Sequence, residues 1–202
     1  NIMCVALYYI IKIIYQKEDK KHYWIIIGAT FLLDFLIKPT YISVYVAFGI
    51  AEIIFAIKEK RFKQLLKNVL YILIGILIVA IPIGIYLIIN NDFNQFIDAC
   101  FLTNIKYSNS SLKKKVLAFI ILRCYKYVKY IVLAFICNLF VIISKRLNKE
   151  IKLFTILFFV ATIILTAWAP NAYHHYLVQM APCLTFNAII GIFLISKLIE
   201  NK

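Results

Sequence analysis

The chain has 202 residues, of which 64% are hydrophobic and 16% charged, with a mean hydropathy of +0.89; a water-soluble domain is near one-half apolar and one-quarter charged, so this composition excludes one. The net charge of +14 comes from 23 Lys and Arg against 9 Asp and Glu, but the basic residues occupy short connectors between long apolar blocks, where they meet anionic headgroups and set orientation, so nucleic acid is not an expected partner. Cys4, Cys100, Cys124, Cys137 and Cys183 are scattered, odd in number and never in a Cys-x-x-Cys spacing, which predicts neither a disulfide framework nor a metal site.

Asn1 to Tyr15 reads as the end of a helix interrupted by Lys12, with neither an initiator Met nor the charged start of a signal peptide, as expected of a stretch inside a longer parent. Gln16 to His22 (QKEDKKH) is a charged loop. A second apolar block runs from Tyr23 to Ile37 and a third from Tyr41 to Ile57, with Lys38-Pro39-Thr40 between them. Proline cannot donate to the helix ladder and disfavours helical geometry in the residue before it, so two short helices joined by a tight turn are expected. The alternative, one long kinked helix, would put the basic stretches at 16–22 and 58–68 on opposite faces of the membrane.

Lys58 to Asn68 (KEKRFKQLLKN), with Val69, places Phe62, Leu65, Leu66 and Val69 on one helical face and lysines on the rest of the arc, so it is expected to lie along the cytoplasmic headgroups. Val69 to Asn90 has no charge in its body and reads as a span kinked at Pro82. In Asn91 to Thr103 one stripe carries Phe93, Phe96, Ile97, Cys100 and Phe101, with Asp92, Asn94, Gln95 and Asp98 off it. That is the pattern of an interfacial helix capped near Asn91.

Ser108 to Lys115 reads as a loop, Val116 to Tyr130 as a mixed segment holding Arg123, Lys126 and Lys129, and Tyr130 to Ile143 as a crossing. Ser144 to Lys152 (SKRLNKEIK) is a basic connector, Leu153 to Ala167 crosses outward, Trp168 to His175 forms an outer loop, and Leu177 to Ile195 returns. The expected fold class is all-α: a polytopic transmembrane helical bundle of about seven membrane segments with interfacial helices, forming a single domain over 1–202. Most of the basic residues fall in the stretches 16–22, 58–68, 144–152 and 197–202, which the positive-inside rule places in the cytoplasm. The exceptions, apart from Lys12, are Lys38, Lys106, Lys113, Lys114, Lys115, Arg123, Lys126 and Lys129. They need a reason on the outer side, and a bound anionic substrate is one.

Four groups of residues invite a chemical reading. Asp34 and Lys38 stand four apart on one helix face and read either as a neutralising pair or as a turn whose lysine meets a lipid-linked phosphate. Glu52 shows no partner in the sequence. Arg123 and Lys126 share a face with Phe119 and Tyr130, and such an arc binds either anionic headgroups or a diphosphate gripped by the guanidinium. Tyr173-His174-His175-Tyr176 is either an interfacial aromatic belt or a substrate contact; adjacent histidines point to different sides of a helix, which disfavours a metal site. No Gly-rich phosphate loop, Gly-x-Ser-x-Gly elbow or His-Glu-x-x-His motif occurs.

Three segments resemble the C-terminal half of bacterial membrane glycosyltransferases of the GT-C class, the group that includes protein O-mannosyltransferases and the aminoarabinose lipid A transferase. Phe35-Leu36-Ile37-Lys38-Pro39-Thr40 resembles the family's turn after an apolar run. Phe101-Leu102-Thr103-Asn104-Ile105-Lys106-Tyr107-Ser108 resembles an outer-loop segment. Tyr173-His174-His175-Tyr176-Leu177 with Pro182 resembles a Tyr-Pro-His-Tyr segment, His175 taking the histidine position; Pro170-Asn171 stand where the family often has Gly-Arg, so no phosphate-binding arginine carries over there.

The resemblance implies transfer of a sugar, with inversion, from a polyprenyl-phosphate donor at the outer face of the bacterial cytoplasmic membrane. It implies a catalytic carboxylate in a first outer loop upstream of Asn1, no cofactor, and Lys38, Arg123, Lys126 and His175 as contacts to the donor's phosphate or sugar. The partners are then membrane lipid and the polyprenyl-phosphate-sugar donor. The rival reading is a multi-pass transporter or flippase for lipid-linked sugars, which would line a path across the midplane with polar residues and carry inverted repeats.

Overall fold

A computed structural model of the chain describes residues 2–109, 111–118, 125–167, 178 and 180–199, and these are helical or in short connections between helices, with no strand among them. The helices are α1 (Ile2–Ile14), α2 (Lys21–Ile37), a 3-10 turn (Pro39–Ile42) leading into α3 (Ser43–Lys58), α4 (Phe62–Ile89), α5 (Phe93–Ile97), a π turn (Asp98–Leu102) running into α6 (Thr103–Ser108), α7 (Leu112–Ala118), α8 (Tyr125–Ile143), α9 (Lys149–Ala167) and α10 (Ala181–Ile199). Three stretches are long and apolar enough to cross a membrane: Pro39–Lys58, Phe62–Ile89 and Lys149–Ala167. Ile2–Ile14, Val128–Ile143 and Ala181–Lys197 are shorter apolar helices.

Along α4 burial is the reverse of that in a protein dissolved in water, and polar residues are buried elsewhere in the bundle too. Asp34, Asn68, Asn138, Thr155, Thr162, Thr166 and Asn187 are buried, while Leu73, Ile74, Leu77, Ile78, Ile81 and Ile85 of α4 are exposed. Along the 28 residues of α4 the buried positions are Asn68, Gly75 and Leu87. A helix that exposes isoleucine and turns asparagine inward is suited to a hydrocarbon solvent, where polar groups must find partners inside the bundle and apolar ones need none.

The core is built by α1, α2, α3, α9 and α10, which contribute Met3, Ala6, Ile10, Trp24, Ile27, Val44, Phe48, Phe154, Phe158 and Phe186. Its centre is aromatic: Phe154 and Phe158 stack at 5.7 Å, and Phe186 meets both, at 5.8 and 6.1 Å. The α2–α3 hairpin expected from Pro39 is present. Trp24 stacks on Phe48 at 5.3 Å and Phe31 packs edge-on against Tyr45 at 5.4 Å, pairings that fold the two helices back on each other about the turn. Lys38 takes the extended backbone (φ −164°, ψ 116°) that a residue before proline prefers, and Pro39 opens the 3-10 turn.

α4 leans on α2 through a crossing of glycines. A β-carbon on Gly28 would overlap the carbonyl of Ile72, and one on Gly75 would overlap the carbonyl of Ile25 and approach the amide of Ala29. On the other side of the bundle α10 packs on α8, with Gly191 against the side chain of Cys137.

The structure moves several expected boundaries. The amphipathic stretch after Lys58 is not a separate surface helix: from Phe62 it runs unbroken into the span, because no proline or glycine intervenes and its apolar face continues in register. A helix of 28 residues is about 42 Å long, against an apolar layer of about 30 Å, so its first turns project beyond that layer. Lys113 to Lys115 are helical rather than looped, because Ser111 caps α7: its hydroxyl accepts from the Lys114 amide at 3.3 Å. α9 likewise begins at Lys149, capped by Asn148, whose side chain accepts from the Ile151 amide at 2.8 Å. Pro82 lies within α4, which continues through it to Ile89.

Candidate functional site

The connectors expected on the inner side, the last of them through its described residues 197–199, come together at one end of the bundle. Lys17 pairs with Glu150, joining the α1–α2 loop to α9. Asp19 accepts from Trp24 Nε1 at 2.6 Å and from Gln64 Nε2 at 2.7 Å, joining that loop to α2 and α4. Glu18 accepts from the Tyr23 hydroxyl at 2.6 Å and lies 3.0 Å from Lys20 and 3.5 Å from Lys12. Those bonds hold its carboxyl at about 2, well below the usual range, the Tyr23 hydrogen bond being the largest cause and Lys20 the next. Arg146 donates to the carbonyl of Lys197 at 2.7 Å, fastening the α8–α9 connector to the end of α10. Glu52, for which the sequence offered no partner, lies 3.6 Å from Arg61, brought round by the left-handed residue Lys60 (φ 57°).

The opposite end carries the turn at Lys38. Asp34 is buried, its carboxylate accepts the Tyr45 hydroxyl at 2.7 Å, and its carbonyl accepts the Lys38 amide at 2.9 Å. Lys38 is half-buried with its ammonium 5.9 Å above the Tyr41 ring. Phe35, three residues earlier, meets Phe101 at 6.0 Å, and Phe101 meets Phe96 at 6.3 Å. The run from Phe93 to Ser108 therefore touches the Lys38 end of α2 through Phe101, with Phe96, Ile97, Cys100 and Phe101 partly covered and Asn94, Gln95 and Asp98 exposed. That matches the expected stripe except at its start, where Phe93 is exposed and Asp92 half-buried, and the cap differs too: Asn91 is left-handed (φ 56°) and Asp92 stands at the helix start without a side-chain capping bond. On α7, Lys113 and Lys114 are exposed and Lys115 is buried.

Of the four donor-contact residues read from the sequence, Lys38 is the one whose side chain is described. Arg123 and His175 lie outside the described residues, as does the Trp168 to Tyr176 segment. Lys126 has a helical backbone on α8, and its side chain lies outside what is described.

Sequence reasoning did not find a second feature, a groove of about 740 Å³ running between α1 and α10. Its walls are Cys4, Tyr8, Ile11 and Tyr15 on one side and Ala181, Thr185, Ile189 and Phe193 on the other, and its floor includes Leu7, Ile151 and Phe186. The signal was present as two stripes at three- and four-residue spacing. In helices apolar all round, however, such a stripe does not stand out from its neighbours.

Between α8 and α10 the polar side chains close on each other. Asn138 Nδ2 donates to Asn187 Oδ1 at 2.6 Å and to the Ala134 carbonyl at 2.9 Å, and Asn187 Nδ2 donates to the Cys183 carbonyl at 2.8 Å. Among the described residues no three His, Cys, Asp or Glu side chains gather as a metal site would require. The chain matches no family model, no curated protein and no solved structure.

Proposed function

We propose that the chain forms the C-terminal helices of a membrane glycosyltransferase of the GT-C kind, with about seven membrane segments in a bacterial cytoplasmic membrane, that moves a sugar from a polyprenyl-phosphate donor at the outer face. One observation carries this reading: two of the three segments on which the resemblance rests, Phe35 to Thr40 and Phe101 to Ser108, are far apart in sequence and meet through Phe35 and Phe101 at 6.0 Å. A phosphate entering between the turn and the outer helix would meet the Lys38 ammonium, in a partly buried setting where a charge-assisted hydrogen bond is worth about 1.5–3 kcal/mol. Arg123, Lys126 and His175 are the further donor contacts in this reading.

In the reaction the acceptor hydroxyl oxygen attacks the anomeric carbon as the carbon–oxygen bond to the donor phosphate breaks. Polyprenyl phosphate leaves, and the hydroxyl proton passes to a carboxylate base. The reading assigns that base to the upstream outer loop; Asp98 points to solvent from the polar side of the interfacial run. A transporter would instead need polar side chains open to a path, whereas Asn138 donates to Asn187 and to the Ala134 carbonyl of its own helix, and Asn187 donates to the Cys183 carbonyl of its own.

The test is sugar transfer by the full-length protein in membranes carrying the donor. Lys38→Ala is expected to lower donor use about tenfold or more, equivalent to about 1.4 kcal/mol or more, with Lys38→Arg retaining part of it. Unchanged turnover in alanine variants of Lys38, Arg123, Lys126 and His175 would remove the proposal.

A further inference from the structure

The groove between α1 and α10 is apolar along its length, yet it ends in charge. From Cys4 to Tyr15 on α1 and from Ala181 to Phe193 on α10, it runs about 16–18 Å at 1.5 Å per residue. That is about half of a 30 Å apolar layer, the depth of one leaflet. Its volume of about 740 Å³ lies in the range of pockets that enclose a small molecule, but its walls suit only hydrocarbon.

At the end near Tyr15 and Phe193 the wall is completed by Leu147, which follows Arg146 directly. There Lys145, Arg146 and Lys149 are exposed. The carboxylate in this connector, Glu150, is already engaged by Lys17. Arg146 uses one guanidinium nitrogen on the Lys197 carbonyl, which leaves other N–H groups of its fork for an anion. The mouth is thus net positive, and it lies at the end that the positive-inside rule assigns to the cytoplasm.

We infer that this groove holds one acyl chain of an anionic phospholipid from the inner leaflet, its phosphate lying against Lys145, Arg146 and Lys149. The occupant follows from the two chemistries together. An apolar trough one leaflet deep selects a lipid chain, and a basic rim at its cytoplasmic end selects a negative headgroup over a zwitterionic one. The site is separate from the Lys38 turn, which lies at the opposite end of the bundle, so it stands whether or not sugar transfer does.

The experiment is native mass spectrometry of the full-length protein, delipidated in neutral detergent and titrated with phosphatidylglycerol or phosphatidylcholine of the same acyl composition. One phosphatidylglycerol is expected to bind about tenfold or more tighter than phosphatidylcholine. Ile189→Trp fills the trough from a side chain that is already 61% exposed, and should abolish that binding without lowering the thermal midpoint. Thr185→Phe, on the same wall and also exposed, serves if the first variant does not fold. Lys145→Gln combined with Lys149→Gln should bring the two lipids to similar affinity. Equal affinity for both lipids in the unsubstituted protein, or phosphatidylglycerol binding that survives a folded trough-filling variant, would overturn the inference. So would an upstream segment or a second copy found cross-linked to Cys4 in place of lipid.

Discussion

Gly28 on α2 and Gly75 on α4 each occupy a position where the facing helix fills the space of a missing β-carbon, so the two backbones touch within a few residues of each other. Lipid chains are as apolar as leucine, so burying a leucine at this crossing would gain little. Close backbone contact, with its dispersion and Cα–H to carbonyl interactions, is what remains to hold α4 in place. The glycines cost about 0.5–1 kcal/mol each in a helix interior relative to alanine, and the crossing must more than offset that.

Gly28→Ala or Gly75→Ala should therefore destabilise rather than stabilise, by about 1–3 kcal/mol as overpacking does, and Gly28→Leu should separate α4 from α2. Gly49 and Gly84, which have open space around them, are the controls, and their alanine variants should be neutral or stabilising. The measurement is the thermal midpoint in detergent. Equal effects at Gly28 and Gly49 would show that the crossing contributes nothing.

The Asn138–Asn187 pair offers a second quantitative check. Replacing either residue with leucine leaves the other amide buried without its partner and should cost about 1–2 kcal/mol. A double-mutant cycle should return a coupling of about 0.6 kcal/mol, the usual size for interhelical hydrogen bonds in a bilayer. Additive single effects would mean that the 2.6 Å bond carries no net coupling.

Acid should loosen the inner end in a defined window. The Glu18 carboxyl is held at about 2 in the folded chain, first by the Tyr23 hydroxyl and then by Lys20, while the unfolded chain takes up the proton near the ordinary value of about 4.3. The unfolded state thus gains protons first as pH falls. The stabilisation from Glu18 is complete above about 4.3 and declines until the pH has passed about 2. Tyr23→Phe should raise the Glu18 midpoint, observed by carboxyl NMR, and flatten the pH dependence of the thermal midpoint between those limits.

Orientation is open to direct measurement. Single cysteines at Lys17, Lys145 and Lys149 should react with impermeant reagents from the cytoplasmic side, and those at Lys106, Lys113 and Lys114 from the other. Lys17 and Lys113 labelling from one side would break the assignment of inner and outer ends on which both functional readings rest.

How much of this was legible in the residues depended on whether the signal was local. Proline at 39 announces the α2–α3 turn, and the alternation of apolar blocks with basic connectors announces which loops share an end. Asn148 and Ser111 are caps whose type is visible but whose reach is not, so α9 and α7 begin ahead of the apolar blocks that announce them. Partners across the bundle were not legible. Spacing offered Lys38 to Asp34, but the carboxylate takes the hydroxyl of Tyr45 across the turn, and Glu52 finds Arg61 only because Lys60 reverses the chain. The glycine crossing and the α1–α10 groove left no distinctive pattern, since a lone glycine or one more apolar stripe looks ordinary within a helix that is apolar on every side.

The bond between Lys17 and Glu150 joins residues 133 apart in the chain, and α1 finds its aromatic neighbours Phe154, Phe158 and Phe186 later still. At a synthesis rate of about 5–20 residues per second, α1 waits on the order of ten seconds for these later partners to leave the ribosome, with α2 already beside it. During that interval the side of α1 that will meet α9 faces lipid or an insertion factor, while Tyr9 and Lys12 already meet Tyr23 and Glu18. Assembly therefore proceeds in two stages: α1 packs first on α2, which follows it directly, and the α1–α9 seam closes only after the later helices have emerged.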